Sequence, residues 1–123
     1  MSDDPRHILG EIGENLACAE LRRLGYAILA TRYRTRFGEI DIVAHHEGFT
    51  VFVEVKTRRA DDFGGGLEAV TPQKQRRVAQ MAIDYVARLD QYDTPCRFDV
   101  VIVDLDVDST RVEVFPFAFD SPY

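Results

Sequence analysis

The stretch EIDIVAHHEGFTVFVEVK, residues 39–56, decides the fold. It contains two apolar-rich runs, 39–44 and 50–56, with the β-branched content and period-two alternation of strands, separated by polar His45, His46, Glu47 and Gly48. A tight connection across residues 46–49 predicts an antiparallel hairpin with Ala44 facing Val51, Val43 facing Phe52, Asp41 facing Glu54 and Glu39 facing Lys56. Ile40, Ile42 and Ala44 then meet Val55, Val53 and Val51 on a wholly apolar face, and every charge lies on the other. A slip of one residue would drive carboxylates into the apolar side, so the pattern itself selects this alignment. The two histidines read as solvated turn residues.

Directly opposed side chains have Cβ atoms roughly 4.5–5.5 Å apart. That spacing suits two carboxylates sharing one ion, with oxygen-to-metal distances of about 2.0–2.1 Å for magnesium. The competing reading makes Asp41 and Glu54 ordinary solvent-facing strand residues. Like charges set opposite one another are unfavourable, however, and call for a cation. Lys56 supplies it only in part, because its own partner across the ladder is Glu39.

Outward from the hairpin, residues 8–24 read as a helix with Ile8, Leu9, Ile12, Leu16 and Ala19 on its apolar stripe. Gly25 ends it. Gly10, Gly13 and Ala17 form a strip of small residues along the same helix, and an interior glycine is unfavourable by roughly 1 kcal/mol relative to alanine. Close packing against another backbone would account for that loss. Glu14 lies beside the strip and can reach over the sheet, although a helical glutamate is more often simply solvated.

Residues 26–34 predict the first strand, ending at a turn near Phe37-Gly38. The long connection 57–70, with Gly64, Gly65 and Gly66, lacks the G-x-x-x-x-G-K-[ST] pattern of a nucleotide cradle and is expected to be a lid or substrate-contacting arm. Thr71 and Pro72 mark the N-cap and first position of a second helix, whose stripe is Val78, Met81, Ala82, Tyr85 and Leu89. Lys74 stands on that inward face beside Gln73. A lysine in the first turn opposes the helix dipole, so it reads as an anion contact, with phosphate the obvious candidate. Residues 98–104 are apolar on both sides, as in a strand covered on both faces, which predicts parallel pairing through a right-handed crossover. Residues 111–115 predict a last strand and 116–123 an aromatic tail packed on the core or a partner. The role of Asp99 is open.

At 123 residues the chain supports one domain, with its core in about residues 8–115. No signal-peptide core or run of transmembrane length is present, so a cytoplasmic protein without membrane contact is expected. Cys18 and Cys96 lack metal or redox spacing and read as small apolar residues. The net charge of −6 conceals an uneven distribution: residues 22–77 hold 11 Lys or Arg against 7 Asp or Glu. Any one of these basic residues is most simply a solvated surface residue, but together Arg22, Arg23, Arg32, Arg34, Arg36, Arg58, Arg59, Lys74, Arg76 and Arg77 favour a polyanion beside the carboxylates, with Arg34, Arg36, Arg58, Arg59, Lys74 and Arg77 the expected nucleic-acid contacts.

The order helix, three strands, helix, strand, with Glu in the first helix, Asp in the second strand and E-x-K in the third, resembles the PD-(D/E)XK nuclease superfamily. More closely, G-E-x-x-A (Gly13, Glu14, Ala17), F-G-E-I-D (Phe37 to Asp41), V-F-V-E-V-K-T-R (Val51 to Arg58), T-P-Q-K (Thr71 to Lys74) and R-F-D-V-V (Arg97 to Val101) resemble the bacterial YraN family. That family is grouped with Holliday-junction-resolvase-like proteins, and the similarity spans about residues 10–105.

The resemblance implies a restriction-endonuclease-like α/β fold, an αβββαβ core with a mixed sheet flanked by helices. It implies that Asp41 and Glu54 hold Mg²⁺ or Mn²⁺, that Glu14 supports the metal, and that Lys56 positions or activates the attacking water. Gln73 would complete the site, and the products would be a 5′-phosphate and a 3′-hydroxyl. Arg32-Tyr33 departs from the pattern, which has an asparagine before the arginine-rich turn.

The expected activity is therefore metal-dependent endonucleolytic hydrolysis of DNA, structured or branched, with RNA also open. Paired cuts in a junction would call for a homodimer. Two other readings compete: a nucleic-acid-binding module that kept the fold without turnover, and an interaction subunit that recruits an enzyme through the aromatic residues Phe115, Phe117 and Phe119.

Overall fold

The computed structural model describes residues 5–59, 70–106 and 108–121. The expected lid and its three glycines fall mostly outside these residues. The hairpin forms in the predicted register, with Ala44 opposite Val51, Val43 opposite Phe52 and Ile42 opposite Val53. It also pairs His45 with Thr50 and His46 with Phe49, so only Glu47 and Gly48 form the turn. Both have positive φ, 52° and 83°, the geometry whose twist matches that of the flanking strands. The two histidines are thus strand residues, contrary to the sequence reading.

In chain order the elements are α1 (Pro5–Arg23), β1 (Ala27–Thr35), β2 (Gly38–His46), β3 (Phe49–Arg59), α2 (Pro72–Leu89), β4 (Cys96–Leu105) and β5 (Thr110–Phe119). The strands form one mixed sheet in the order β1-β2-β3-β4-β5. Only the β3–β4 pair is parallel, as a helix-containing connection requires. Thr71 caps α2, its hydroxyl accepting from the Lys74 N–H at 3.2 Å. Strand β5 continues past its expected end at residue 115 to Phe119. Its edge position tolerates Pro116, which has no N–H to donate.

Each face of the sheet has its own core. Ala17, Cys18 and Leu21 of α1 pack on Ile42, Ala44, Val51, Val53, Val101 and Val103. On the other face Val78, Met81, Ala82 and Tyr85 of α2 pack on Val43, Phe52 and Phe98. Full burial of such side chains contributes about 1.5–3 kcal/mol each. No face of the hairpin is left to charges alone, because Val43 and Phe52 lie under α2.

Three further expectations are corrected. Ile40 does not share a face with Ile42 and Ala44; it joins the α2 core, so β2 changes face across Asp41. On α1 the packed side is the small-residue strip, whereas Ile8 and Ile12 are exposed. An ideal Cβ on Gly13 would lie 1.8 Å from Thr57 Oγ1, so α1 crosses β3 where only glycine fits. Gly10 meets no such neighbour. Leu89 at the end of α2 and Cys96 at the start of β4 are also exposed.

Candidate functional site

Beyond the Ile42–Val53 pair the hairpin opens. The Val55 N–H donates to Asp41 Oδ2 at 2.8 Å, so a carboxylate takes the place of a strand acceptor. This bond holds Asp41 beside Glu54, close enough for the two carboxyls to shift one another. Burial raises both acids above the usual carboxylate range. For Asp41 the nearby charges of Glu54 and then Glu14 raise it further, against the lowering effect of the Val55 bond. For Glu54 the charges of Lys74, Lys56 and Arg77 pull the other way, as does the bond from Asp41. The pair therefore holds a proton through pH values at which exposed carboxyls are ionised.

Glu39 stands opposite Arg34 of β1. The expected Glu39–Lys56 pairing is absent from the β2–β3 register, and Lys56 acts on Glu54 instead. The charge of Lys74, in the first turn of α2, lowers the same carboxylate. Gln73, one residue earlier, is exposed.

Glu14 follows Gly13 on α1, close enough to act on Asp41. Its carboxylate is held by Arg32, whose Nε donates to Oε2 at 2.7 Å. Arg32 also lies 3.6 Å from Glu11. These three residues, with Arg34, Glu39 and Asp41, line a polar cleft of about 600 Å³. Among the described residues no three His, Cys, Asp or Glu side chains converge as a ready metal-binding group. The third acid, Glu14, is engaged by Arg32. Asp41 and Glu54 still fit a hard divalent ion, since replacing their shared proton with such a cation relieves the crowding of two buried acids.

The arginines divide. Arg34 is exposed at the cleft, Arg36 is exposed over the Phe37 ring with 4.9 Å to its centroid, and Arg77 is exposed on α2. Arg59 is exposed at the end of β3. Arg58 is different: it makes a two-pronged ion pair with Asp104, Nε to Oδ1 at 2.6 Å and Nη2 to Oδ2 at 3.1 Å, and the same pairing lowers the Asp104 carboxyl. The two residues face each other in the parallel register, so Arg58 is matched within the sheet rather than presented to a polyanion.

A second charged cluster escaped the sequence reading. Arg97 donates to both carboxylate oxygens of Asp99, at 2.9 and 2.8 Å, and to Tyr26 Oη at 2.9 Å. Tyr26 Oη in turn donates to Asp99 Oδ2 at 2.6 Å. Arg97 Nη2 lies 2.8 Å from His46 Nδ1, and the His46 ring stacks on Tyr26 with 3.9 Å between centroids. The visible signal was an arginine and an aspartate at i, i+2 in a strand otherwise apolar on both sides.

The five-stranded mixed sheet with a helix on each face and an acidic pair at its opened hairpin defines an α/β domain compatible with a restriction-endonuclease-like core. Residues 13–103 match the model of "Uncharacterised protein family UPF0102", and the chain belongs to that family. It is 46% identical over 116 residues to the UPF0102 protein of Syntrophus aciditrophicus, covering 93% of this chain and 90% of the relative. It is 52% identical over 96 residues to that of Symbiobacterium thermophilum, covering 78% and 81%. With the Geobacter sulfurreducens protein the identity is 44% over 117 residues, covering 94% and 91%. No helix among the described residues is long and apolar enough to cross a membrane.

Proposed function

We propose that this protein is a divalent-metal-dependent endonuclease that hydrolyses phosphodiester bonds in DNA, with structured or branched DNA as its substrate class. The observation that carries the reading is the half-buried pair Asp41 and Glu54 at the opened end of a hairpin, Asp41 fixed by the Val55 N–H, with the charges of Lys56 and Lys74 acting on Glu54. Two half-buried acids side by side repel when both are ionised, and a bound cation relieves that repulsion as a proton does. Asp41 and Glu54 would hold Mg²⁺ or Mn²⁺, which supplies Lewis acidity and lowers the pKa of bound water.

The chain's own groups supply the rest. Lys56, a compact cation on a rigid strand, orients the attacking water and stabilises charge developing on the phosphate. Lys74 neutralises a second phosphate oxygen from the helix start, where Gln73 adds a polar contact. Arg34, Arg36 and Arg77 follow the nucleic-acid backbone on either side. RNA shares this phosphate chemistry, and paired cuts would use a homodimer.

The test is incubation of the protein with a panel of structured DNAs and RNAs under Mg²⁺, Mn²⁺ or EDTA, with light scattering for mass. Glu54→Gln and Lys56→Ala are expected to abolish Mn²⁺-dependent cleavage with the fold intact by circular dichroism. Retained cleavage in both variants removes the assignment. A wild-type protein that binds DNA in a salt-dependent way in EDTA, yet cuts nothing, is a binding module instead. The interaction-subunit reading draws on an apolar pocket of about 300 Å³ lined by Ile83, Tyr92 and Phe117, and predicts cleavage only with a partner present.

A further inference from the structure

We propose that Arg32 is a charge-exchange gate for the acidic site: it holds Glu14 in the resting protein and passes to an entering phosphodiester, releasing Glu14 toward Asp41 and Glu54. The inference rests on the reading of Asp41 and Glu54 as a metal-binding pair and adds a positioning residue that controls it.

Three observations place Arg32 in this role. First, it sits between the Thr31–Ile42 and Tyr33–Ile40 pairs of the β1–β2 ladder, across from Asp41. Second, its φ is +51°, a left-handed conformation that a residue with a long side chain rarely adopts. This is the same point at which β2 carries Ile42 to one face and Ile40 to the other. Third, its guanidinium binds Glu14 at 2.7 Å and approaches Glu11 at 3.6 Å, within the cleft that Asp41 also lines.

The pairing is of a kind that exchanges readily. Arg32 is 45% exposed on its side chain and Glu14 21%, and a surface ion pair of this sort is worth only a few-fold in an equilibrium constant. A phosphodiester offers the guanidinium two non-bridging oxygens, a bidentate alternative to the single carboxylate oxygen it now holds. Once Arg32 leaves, Glu14, Asp41 and Glu54 present three carboxyls with no arginine between them. Nucleic acid and divalent ion would then bind with positive coupling, because each favours the exchanged arrangement.

The experiment is calorimetric titration of Mn²⁺ into the full chain without nucleic acid, for the wild type, Arg32→Asn, Glu14→Gln and the double variant. Asparagine tolerates the left-handed backbone, so the substitution removes the guanidinium and leaves the strand geometry. Arg32→Asn is expected to tighten Mn²⁺ binding roughly three- to fivefold, and to do so by less than about twofold in the Glu14→Gln background, which isolates the pairwise effect. In EDTA the same variant should bind a short DNA duplex more weakly, with the slope of log affinity against log salt shallower by about one.

An unchanged or weaker Mn²⁺ affinity in Arg32→Asn overturns the gate and leaves the metal pair standing. An equal gain in both backgrounds also overturns it, since the arginine would then act only as a distant charge. Absence of Mn²⁺ binding in every protein overturns the metal reading and the gate with it.

Discussion

The two ends of the β2–β3 hairpin each carry a charged cluster, and the clusters are opposite in kind. At the turn end, Arg97 and Asp99 are completely buried, yet each charge meets its opposite and the neighbouring polar atoms of Tyr26 and His46 join the network. The backbone N–H of Phe117 donates to Asp99 as well, at 3.2 Å. At the open end, Asp41 and Glu54 bring two acids together, and what acts against their charge comes from Lys56 on β3 and from Lys74 and Arg77 on α2. Matched burial ties β2, β4, β5 and the residue that leads into β1 together; at the open end two acids of like sign stand side by side. Charge within a fold is therefore informative through its balance more than its depth.

Breaking the matched end should have the larger effect. Asp99→Ala strands Arg97 in the core, and loss of one partner of a buried pair is expected to cost about 3–5 kcal/mol, read as a fall in the urea midpoint. A loss below about 1 kcal/mol would show that the two clusters are not different in kind. Gly13→Ala tests the scaffold between them: crowding the Thr57 side chain, its Cβ included, should cost roughly 1–3 kcal/mol, and adding Thr57→Gly should make that cost much smaller than it is in the Thr57 background. Without that reduction the contact would not be the reason for glycine.

At the mismatched end the sign reverses. Asp41→Asn keeps an acceptor for the Val55 N–H and removes one acid from the pair, so at pH 8 without metal it should stabilise by about 1 kcal/mol, roughly 4 °C in Tm for a domain of this size. The pH dependence follows from the raised carboxyls. A carboxyl raised by folding binds its proton more tightly in the folded chain than in the unfolded one. Its contribution to stability is whole below the ordinary carboxylate range and is lost as pH climbs through the raised value. The wild type should thus lose stability across that window, and Asp41→Asn should show a shallower decline. The finest comparison is saturating Mn²⁺, which should flatten the wild-type decline and leave the variant nearly unmoved. Parallel curves for both proteins would count against the shared proton.

Much of this was legible because strand parity is a rigid constraint: apolar alternation alone selected the register of the pairs from Ile42–Val53 to Ala44–Val51. Asp41 and Glu54 lie beyond the last ladder pair, and the Val55 N–H on the Asp41 carboxylate, rather than strand pairing, sets them side by side. The change of face at Asp41 was not legible, since it coincides with a left-handed Arg32 on the neighbouring strand, and no periodicity in β2 announces it. Helix α1 misled for a related reason. Its large apolar residues Ile8 and Ile12 do not mark the packed side; Gly13 and Ala17 do, because close approach to β3 rewards the absence of side-chain volume. The Arg97–Asp99 network was hidden by the opposite circumstance, two charges in a segment whose apolar character made it read as plain core.

Both outer strands of the sheet, β1 and β5, contain a residue with left-handed backbone, Arg32 at φ +51° and Phe117 at φ +54°. An unpaired border strand is ordinarily a template on which another molecule can lay its own strand. Here each border is broken partway along, and on β5 the break follows a proline. The sheet is consequently ill suited to growing sideways into a fibre or a strand-to-strand pair.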